Sequence, residues 1–342
     1  MGQSIMRKIW LPLLLTLAAF ALIAVRQVDR AASKTPETGT MPLRVVLALP
    51  TQPSNAGWFV GLEKGYFAQE GVELVNQPHA IGLQAQDAVI RGRADLAMVA
   101  DTPVMFAVMR GADLSIVATT YSSRDYMALV ARGDRGIARV KDLKGKKIGY
   151  VPNTSGHFFL YSLLLANGLG SGRAIPTVIT PAESVALIGS GAIDALVSWE
   201  PTLGEARAAI GPSAVVFHGP ELYTTRFSLV GFSSYVRSHP AELKALLKGL
   251  KQANDFIHQR PEQARLILAK YLPGEQQSAL TALVPGDYQI SLDQGQIITL
   301  EDQARWALKE DLVPQQPVPN FLRHMDQNAL LEIAPDNLTL VR

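Results

Sequence analysis

The residues best placed to do chemistry are Pro152-Asn153-Thr154-Ser155-Gly156-His157. They follow an apolar run that reads as a strand, Lys147–Tyr150, and precede a helix-length segment to Asn167. Thr154 or Ser155 fits the cap of that helix. The first-turn N–H groups behind the cap have no intrahelical acceptor, and the helix dipole adds positive potential there. Such a loop suits a sulfonate, a carboxylate or a similar small anion. Gly156 and His157 complete the candidate loop. Three further loops are candidates for the same task. Gln52-Pro53-Ser54-Asn55-Ala56-Gly57-Trp58 offers Gln52 and Asn55 as polar contacts and Trp58 as a wall. Asp101-Thr102-Pro103 has Pro103 at the first helical position and Thr102 as cap. Trp199-Glu200-Pro201 offers Trp199 as a cover and Glu200 as a partner for a cation or as a brace. Arg124 and Arg226 complete the set, since a guanidinium could clamp an anion bidentately.

Catalytic and metal-binding patterns are weak. The chain has no cysteine, so disulfides, thiolate metal sites and Cys nucleophiles are excluded. The 6 histidines are scattered, and His157 beside Ser155 lacks the third partner of a triad. No phosphate-cradling glycine motif occurs. No cofactor and no metal are expected. A formal net charge of +2 over 342 residues gives no concentrated basic face, which argues against nucleic acid.

The elements that must position these loops alternate. Strand-like runs at Leu43–Leu49, Val72–Val75, Asp95–Val99 and Leu114–Thr119 are separated by helical stretches near Gly57–Lys64, Leu83–Arg91 and Pro103–Arg110. The pattern then restarts. Strands are expected at Tyr126–Arg132, Lys147–Tyr150, Thr177–Ile179, Asp194–Ser198 and Ala214–Phe217. Helices are expected at Ser155–Asn167, Glu183–Ser190 and Pro201–Ile210. Such alternation predicts parallel sheets with crossover helices. After Phe227–Tyr235 the chain turns helical: His239-Pro240 to about Gln259, a helix opened by Pro261, then Glu275–Leu283, Gln296–Glu310 and Met325–Leu331. Gly92-Arg93-Ala94-Asp95 before Asp101-Thr102-Pro103 is echoed by Gly191-Ala192-Ile193-Asp194 before Trp199-Glu200-Pro201. A glycine-terminated helix, an Asp, a strand and a Pro recur in that order, as expected of two lobes built on one plan. Hydrophobic residues at 48% and charged residues at 18% allow both to have a core.

The N-terminus carries Arg7 and Lys8 before an apolar run, Ile9–Val25. A positive end followed by an apolar core reads as an export signal. Cleavage near Ala19-Phe20-Ala21 would release the protein. Retention would leave an N-terminal membrane anchor. Either way residues from about 40 onward lie outside the cytoplasm, and Asp29–Met41 reads as a linker.

Over Leu43 to Leu268 the chain resembles the periplasmic binding proteins for nitrate, sulfonates and taurine, with the related thiamin-pyrimidine precursor binders. The resemblance rests on Gly65-Tyr66-Phe67-Ala68-Gln69-Glu70-Gly71-Val72-Glu73, on Gly92-Arg93-Ala94-Asp95, on Asp142-Leu143-Lys144-Gly145-Lys146-Lys147-Ile148-Gly149, on Ser190-Gly191-Ala192-Ile193-Asp194-Ala195 and on Trp199-Glu200-Pro201. It departs where the family wording is Asp-Ala-Trp, since here Asp194-Ala195 is followed by Leu196. The resemblance implies a type II periplasmic-binding-protein fold, two α/β lobes joined by a two-crossing hinge. One lobe would span 41–121 and 227–342, the other 122–226, with 1–40 as signal peptide or anchor plus linker. It also implies ligand contacts at the first-strand loop, at Asp101-Thr102-Pro103, at Thr154 to His157 and near Trp199-Glu200. The implied role is a monomeric, non-enzymatic binding component that passes a small anionic ligand to an ABC permease in the inner membrane. Enzymes related to this fold rely on cysteines or are cytosolic. A membrane-tethered sensor or a thiamin-pyrimidine precursor binder is the alternative.

Overall fold

The structure, a computed structural model, describes residues 42–170, 172–272 and 285–341. The expected export segment and the expected helix at Glu275–Leu283 lie outside the described residues. In chain order the first elements are β1 (Leu43–Pro50), α1 (Ala56–Glu63), α2 (Tyr66–Gln69), β2 (Val72–His79), α3 (Gly82–Ile90), β3 (Leu96–Ala100), α4 (Asp101–Met109) and β4 (Leu114–Ser123). Next come β5 (Met127–Arg132), β6 (Lys147–Tyr150), α5 (Ser155–Ala166), β7 (Ile175–Val178), α6 (Ser184–Ser190), β8 (Ala195–Trp199), α7 (Thr202–Ile210) and β9 (Ala214–Phe217). The chain returns with β10 (Thr225–Phe232), α8 (Ser233–Ser238), α9 (Pro240–Gln259), α10 (Pro261–Tyr271), β11 (Leu292–Asp293), α11 (Gln294–Lys309), α12 (Asn328–Ile333) and β12 (Leu338–Thr339).

Two 5-stranded sheets result, ordered β2-β1-β3-β10-β4 and β7-β6-β8-β5-β9. Their plans are equivalent. In each, three parallel strands are followed by one antiparallel strand that arrives from the other sheet, β10 in the first and β5 in the second. The chain passes between the sheets over 124–126 and again over 218–224. This is the two-lobed α/β architecture expected of the type II periplasmic-binding-protein fold.

The repeated motif has a structural job. The Asp95 carboxylate accepts the Val46 N–H at 2.7 Å, and the Asp95 N–H donates to the Val46 carbonyl at 3.0 Å. In the second sheet Asp194 accepts the Lys147 N–H at 2.8 Å and donates its own N–H to the Lys147 carbonyl at 2.8 Å. Each Asp thus locks the start of the third strand to its parallel neighbour. The preceding glycines, Gly92 (φ +68°) and Gly191 (φ +78°), end their helices in the left-handed conformation that only glycine adopts cheaply.

Burial follows position. β3 is buried at every residue, as a central strand covered on both faces requires. β2 and β7 are sheet edges, and this explains two differences from the sequence expectation. β2 runs past Val75 to His79 and β7 starts at Ile175, although Pro78 and Pro176 lie inside them. Proline lacks a ladder donor, but an edge strand has one side that needs none. A third difference is that β10 ends at Phe232, where Ser233–Ser238 turns into a helix. In α9 the buried Leu243, Leu246, Leu247, Leu250, Ala253 and Ile257 recur every three or four residues and lay the helix along the first lobe. α11 packs on α4, with Trp306 edge-on to Phe106 at 5.8 Å. α11 thereby rests on the helix that follows β3.

Candidate functional site

Four loops meet where the strands of the two sheets end. Between them lies a cleft lined by Gln52, Ile81, Met127, Ser155, Trp199 and Phe227 among others. Only about 30 Å³ of room remains in it, about one water's share of liquid volume. The lobes are therefore closed on each other here.

Ser155 and Asp101 form the polar centre of that closure. The Ser155 hydroxyl donates to Asp101 Oδ1 at 3.3 Å, linking the second lobe to the first. The Thr102 N–H donates to the same oxygen at 2.8 Å, and the Arg226 N–H donates to Asp101 Oδ2 at 3.4 Å. Tyr223, on the second crossing, donates its hydroxyl to the Ser155 carbonyl at 3.2 Å. Asp101 is fully buried. Burial raises its pKa above the ordinary carboxylate value, against the opposing pull of the Gln303 carboxamide, the Arg226 charge and the two N–H donors.

Thr154 holds the position before α5 in extended backbone (φ −109°, ψ 168°), but its hydroxyl does not cap the helix. It donates to the Val151 carbonyl at 2.7 Å and so fixes the loop instead. Asn153 takes a left-handed φ of 59°, which Asn tolerates better than most residues. The Thr154 carbonyl accepts the His157 N–H at 3.0 Å. Among the described residues, the N–H groups of Ser155 and Gly156 have no acceptor. Gly156 lies against Trp199: an added Cβ would sit 3.7 Å from the indole and 3.4 Å from Val197.

Other expected site residues have different occupations. α4 begins at Asp101, so Pro103 stands third in the helix and Thr102 is not the cap. Pro103 still sits among the first four positions, whose N–H groups have no intrahelical partner. Gln52 lines the cleft and donates to the Ala80 carbonyl at 3.4 Å. Asn55 is buried and donates to the Pro50 carbonyl at 2.8 Å, holding the loop rather than the cleft. Trp58 is core, stacked on Phe67 at 5.5 Å, because α1 turns its apolar face inward. Glu200 turns back to accept the Gly204 N–H at 3.0 Å. Arg226 pairs bidentately with Asp293, both bonds at 3.0 Å, and so braces β10 to the start of α11. Arg124 is exposed at the first crossing and is not among the residues that line the cleft. His157 points away from the cleft into a separate cavity against Trp306. Its burial lowers its pKa to about 4, so the ring is neutral near pH 7.

Tyr126, Met127 and Phe227 were missed. They stand at the two crossings, where Tyr126 packs edge-on to Phe227 at 4.7 Å and reaches Ser54 at 3.4 Å. The lobe boundaries expected at 121/122 and 226/227 were the signal that could have found them. Leu196, where the family wording has an aromatic, is buried in the second lobe's core. Trp199 supplies the aromatic wall of the cleft instead.

Two α/β lobes of equivalent plan, joined by two crossings and closing on a cleft at their strand ends, define a periplasmic-binding-protein fold. The family model described as NMT1/THI5 like matches residues 52–264, and the chain belongs to that family. A relative in Escherichia coli (strain K12) that carries the name of an aliphatic sulfonates-binding protein is 27% identical over 262 residues, 75% of this chain and 78% of that one. The periplasmic aliphatic sulphonate binding protein SsuA from Escherichia coli superposes with a TM-score of 0.71 at 22% identity, covering 84% of this chain and 99% of that one. The alkanesulfonate-binding protein SsuA from Xanthomonas axonopodis pv. citri, bound to MOPS, gives a TM-score of 0.72 at 21% identity over 84% of this chain and 99% of that one.

Proposed function

We propose that this chain is the extracytoplasmic solute-binding component of an ABC importer and that its solute is an aliphatic sulfonate. The observation that carries this reading is the pair of N–H groups at Ser155 and Gly156, which open α5 at the cleft without a protein acceptor. They and the Ser155 hydroxyl suit a sulfonate head. Ile81, Met127, Trp199 and Phe227 suit its aliphatic body. The relatives named for aliphatic sulfonates support the same class. Asp101, buried behind the cleft lining and accepting from the Ser155 hydroxyl, adds a discriminating group, because a carboxylate there favours the ammonium of an amino-sulfonate such as taurine.

The lobes divide at 41–121 with 227–342 and at 122–226. The two crossings act as the hinge, and a ligand touching both lobes favours the closed form. An ABC permease of the inner membrane reads that form. The chain is exported by way of Arg7, Lys8 and Ile9–Val25, acts as a monomer and releases its ligand chemically unchanged.

Thermal melts test the ligand class. At one hundred times its dissociation constant a sulfonate adds about 2.7 kcal/mol to stability and raises Tm by several degrees. Ser155→Pro removes a donor N–H at a helix position that tolerates proline and also the hydroxyl bonded to Asp101, so its unliganded Tm is expected to fall and the sulfonate-induced rise, read against the variant's own baseline, to disappear. Taurine is expected to outdo ethanesulfonate by a larger shift in the wild type and to lose that margin in Asp101→Asn. No shift with any sulfonate would sink the ligand class.

A further inference from the structure

A second cavity, of about 300 Å³, opens between α5 of the second lobe and α11 of the first. That volume falls in the range of small-molecule pockets and is far larger than the room left in the cleft. Its inner wall is apolar: Leu160, Leu164, Leu169, Ala174 and Leu312. Four rings stand around it. Tyr150 lies 4.5 Å from His157, which lies 4.8 Å from Trp306, which in turn lies 5.8 Å from Tyr161. Lys309 stands at the rim, its Nζ donating to the Tyr161 hydroxyl at 3.2 Å and lying 5.8 Å from that ring's centre. Glu310 is on the rim as well. His157 Nδ1 is buried and has no hydrogen-bond partner among the described residues.

We propose that this cavity is a second ligand site, separate from the cleft, for a flat aromatic molecule carrying one anionic group at its edge. The four rings pack on one another at 4.5 to 5.8 Å and line the cavity side by side, so a planar aromatic body adds further stacked or edge-on contacts to the same array. The apolar wall admits no charge, so the ionic group must stay at the rim, where Lys309 meets it. A ring heteroatom or substituent reaching inward would meet the unpaired His157 Nδ1, which otherwise bears the cost of a buried polar atom without a bond. The walls come from both lobes, so an occupant adds to the contacts that hold them together. The proposal does not depend on what the cleft binds.

Calorimetric titration of the full chain with 2-naphthoate tests it. Saturable one-to-one binding is expected. Lys309→Glu, at an exposed position that leaves folding intact, is expected to weaken 2-naphthoate about threefold or more and to leave uncharged 2-naphthamide unchanged. Glu310→Gln is expected to tighten 2-naphthoate. Ala174→Phe fills the cavity and is expected to abolish both, with a cooperative melt showing that the variant is folded. Three results overturn the proposal: no saturable heat up to millimolar 2-naphthoate, tighter binding of decanoate than of 2-naphthoate, or 2-naphthoate binding that Lys309→Glu does not change.

Discussion

The ends of β3 and β8 are the same place in two lobes, and they show what a duplicated plan holds fixed and what it lets go. Before each strand an Asp, Asp95 or Asp194, ties the strand to its neighbour with a matching pair of bonds. Directly after each strand stands an acid, Asp101 or Glu200, and burial raises the pKa of both. There the likeness stops. Asp101 is fully buried and accepts from Ser155 across the lobe boundary. Glu200 is half-buried and accepts from the Gly204 N–H of the helix that follows it. The entrance of the strand serves the sheet, which both lobes need. The exit faces the cleft, where one lobe supplies the carboxylate and the other supplies the hydroxyl that meets it.

The largest effects are expected where the lobes agree. Asp95→Ala or Asp194→Ala leaves a strand N–H without its acceptor, and each is expected to lower stability by roughly 1–3 kcal/mol, readable in chemical denaturation. Similar losses in the two variants support equivalent roles. A loss in one alone breaks the equivalence and makes one of the two motifs ornamental.

Much of this framework was legible in the sequence because it is local. Glycine stops, the Asp before each third strand and the alternation of short apolar runs with helix-length segments all act within a few residues of where they stand. Sheet edges were less legible, since Pro78 and Pro176 read as strand breakers until their strands are known to be outermost. The cleft was half legible. Gln52, Thr154, Ser155 and Trp199, which line it, could be chosen because a strand end followed by a helix start predicts a loop at the cleft. Which way each side chain turns depends on partners far along the chain. Trp58 turns to Phe67, Arg226 to Asp293 and His157 to Trp306. The residues missed at the crossings, Tyr126, Met127 and Phe227, carry apolar side chains that read as core until the two sheets are placed.

The next effect is a pH dependence that belongs to one lobe. Folding raises the Asp101 pKa above its ordinary value of 3.8. The folded protein therefore keeps a proton that the unfolded chain has released, and stability falls as pH climbs from the ordinary carboxylate range through the folded-state value. Asp101→Asn keeps the shape and cannot ionise, so it is expected to melt higher than wild type at pH 8 and to lose that advantage below pH 4. Melts across that range check it. Equal slopes in wild type and variant would show that Asp101 does not set the difference between the lobes.

The smallest effect is expected at Glu200, and it is the sharper test of how far the lobes have diverged. Its carboxylate is partly open to solvent and opposed by the nearby Arg207 charge, which limits what burial can do to it. Its bond to the Gly204 N–H needs an acceptor oxygen and not a charge. Gln offers that oxygen at the same reach. Glu200→Gln is therefore expected to change stability by no more than about 0.5 kcal/mol and to flatten the pH dependence of melting only slightly, far less than Asp101→Asn does. A pH response in Glu200→Gln as large as that in Asp101→Asn would mean that both strand-end acids work at the closure of the lobes, and the asymmetry between Asp101 and Glu200 would fall.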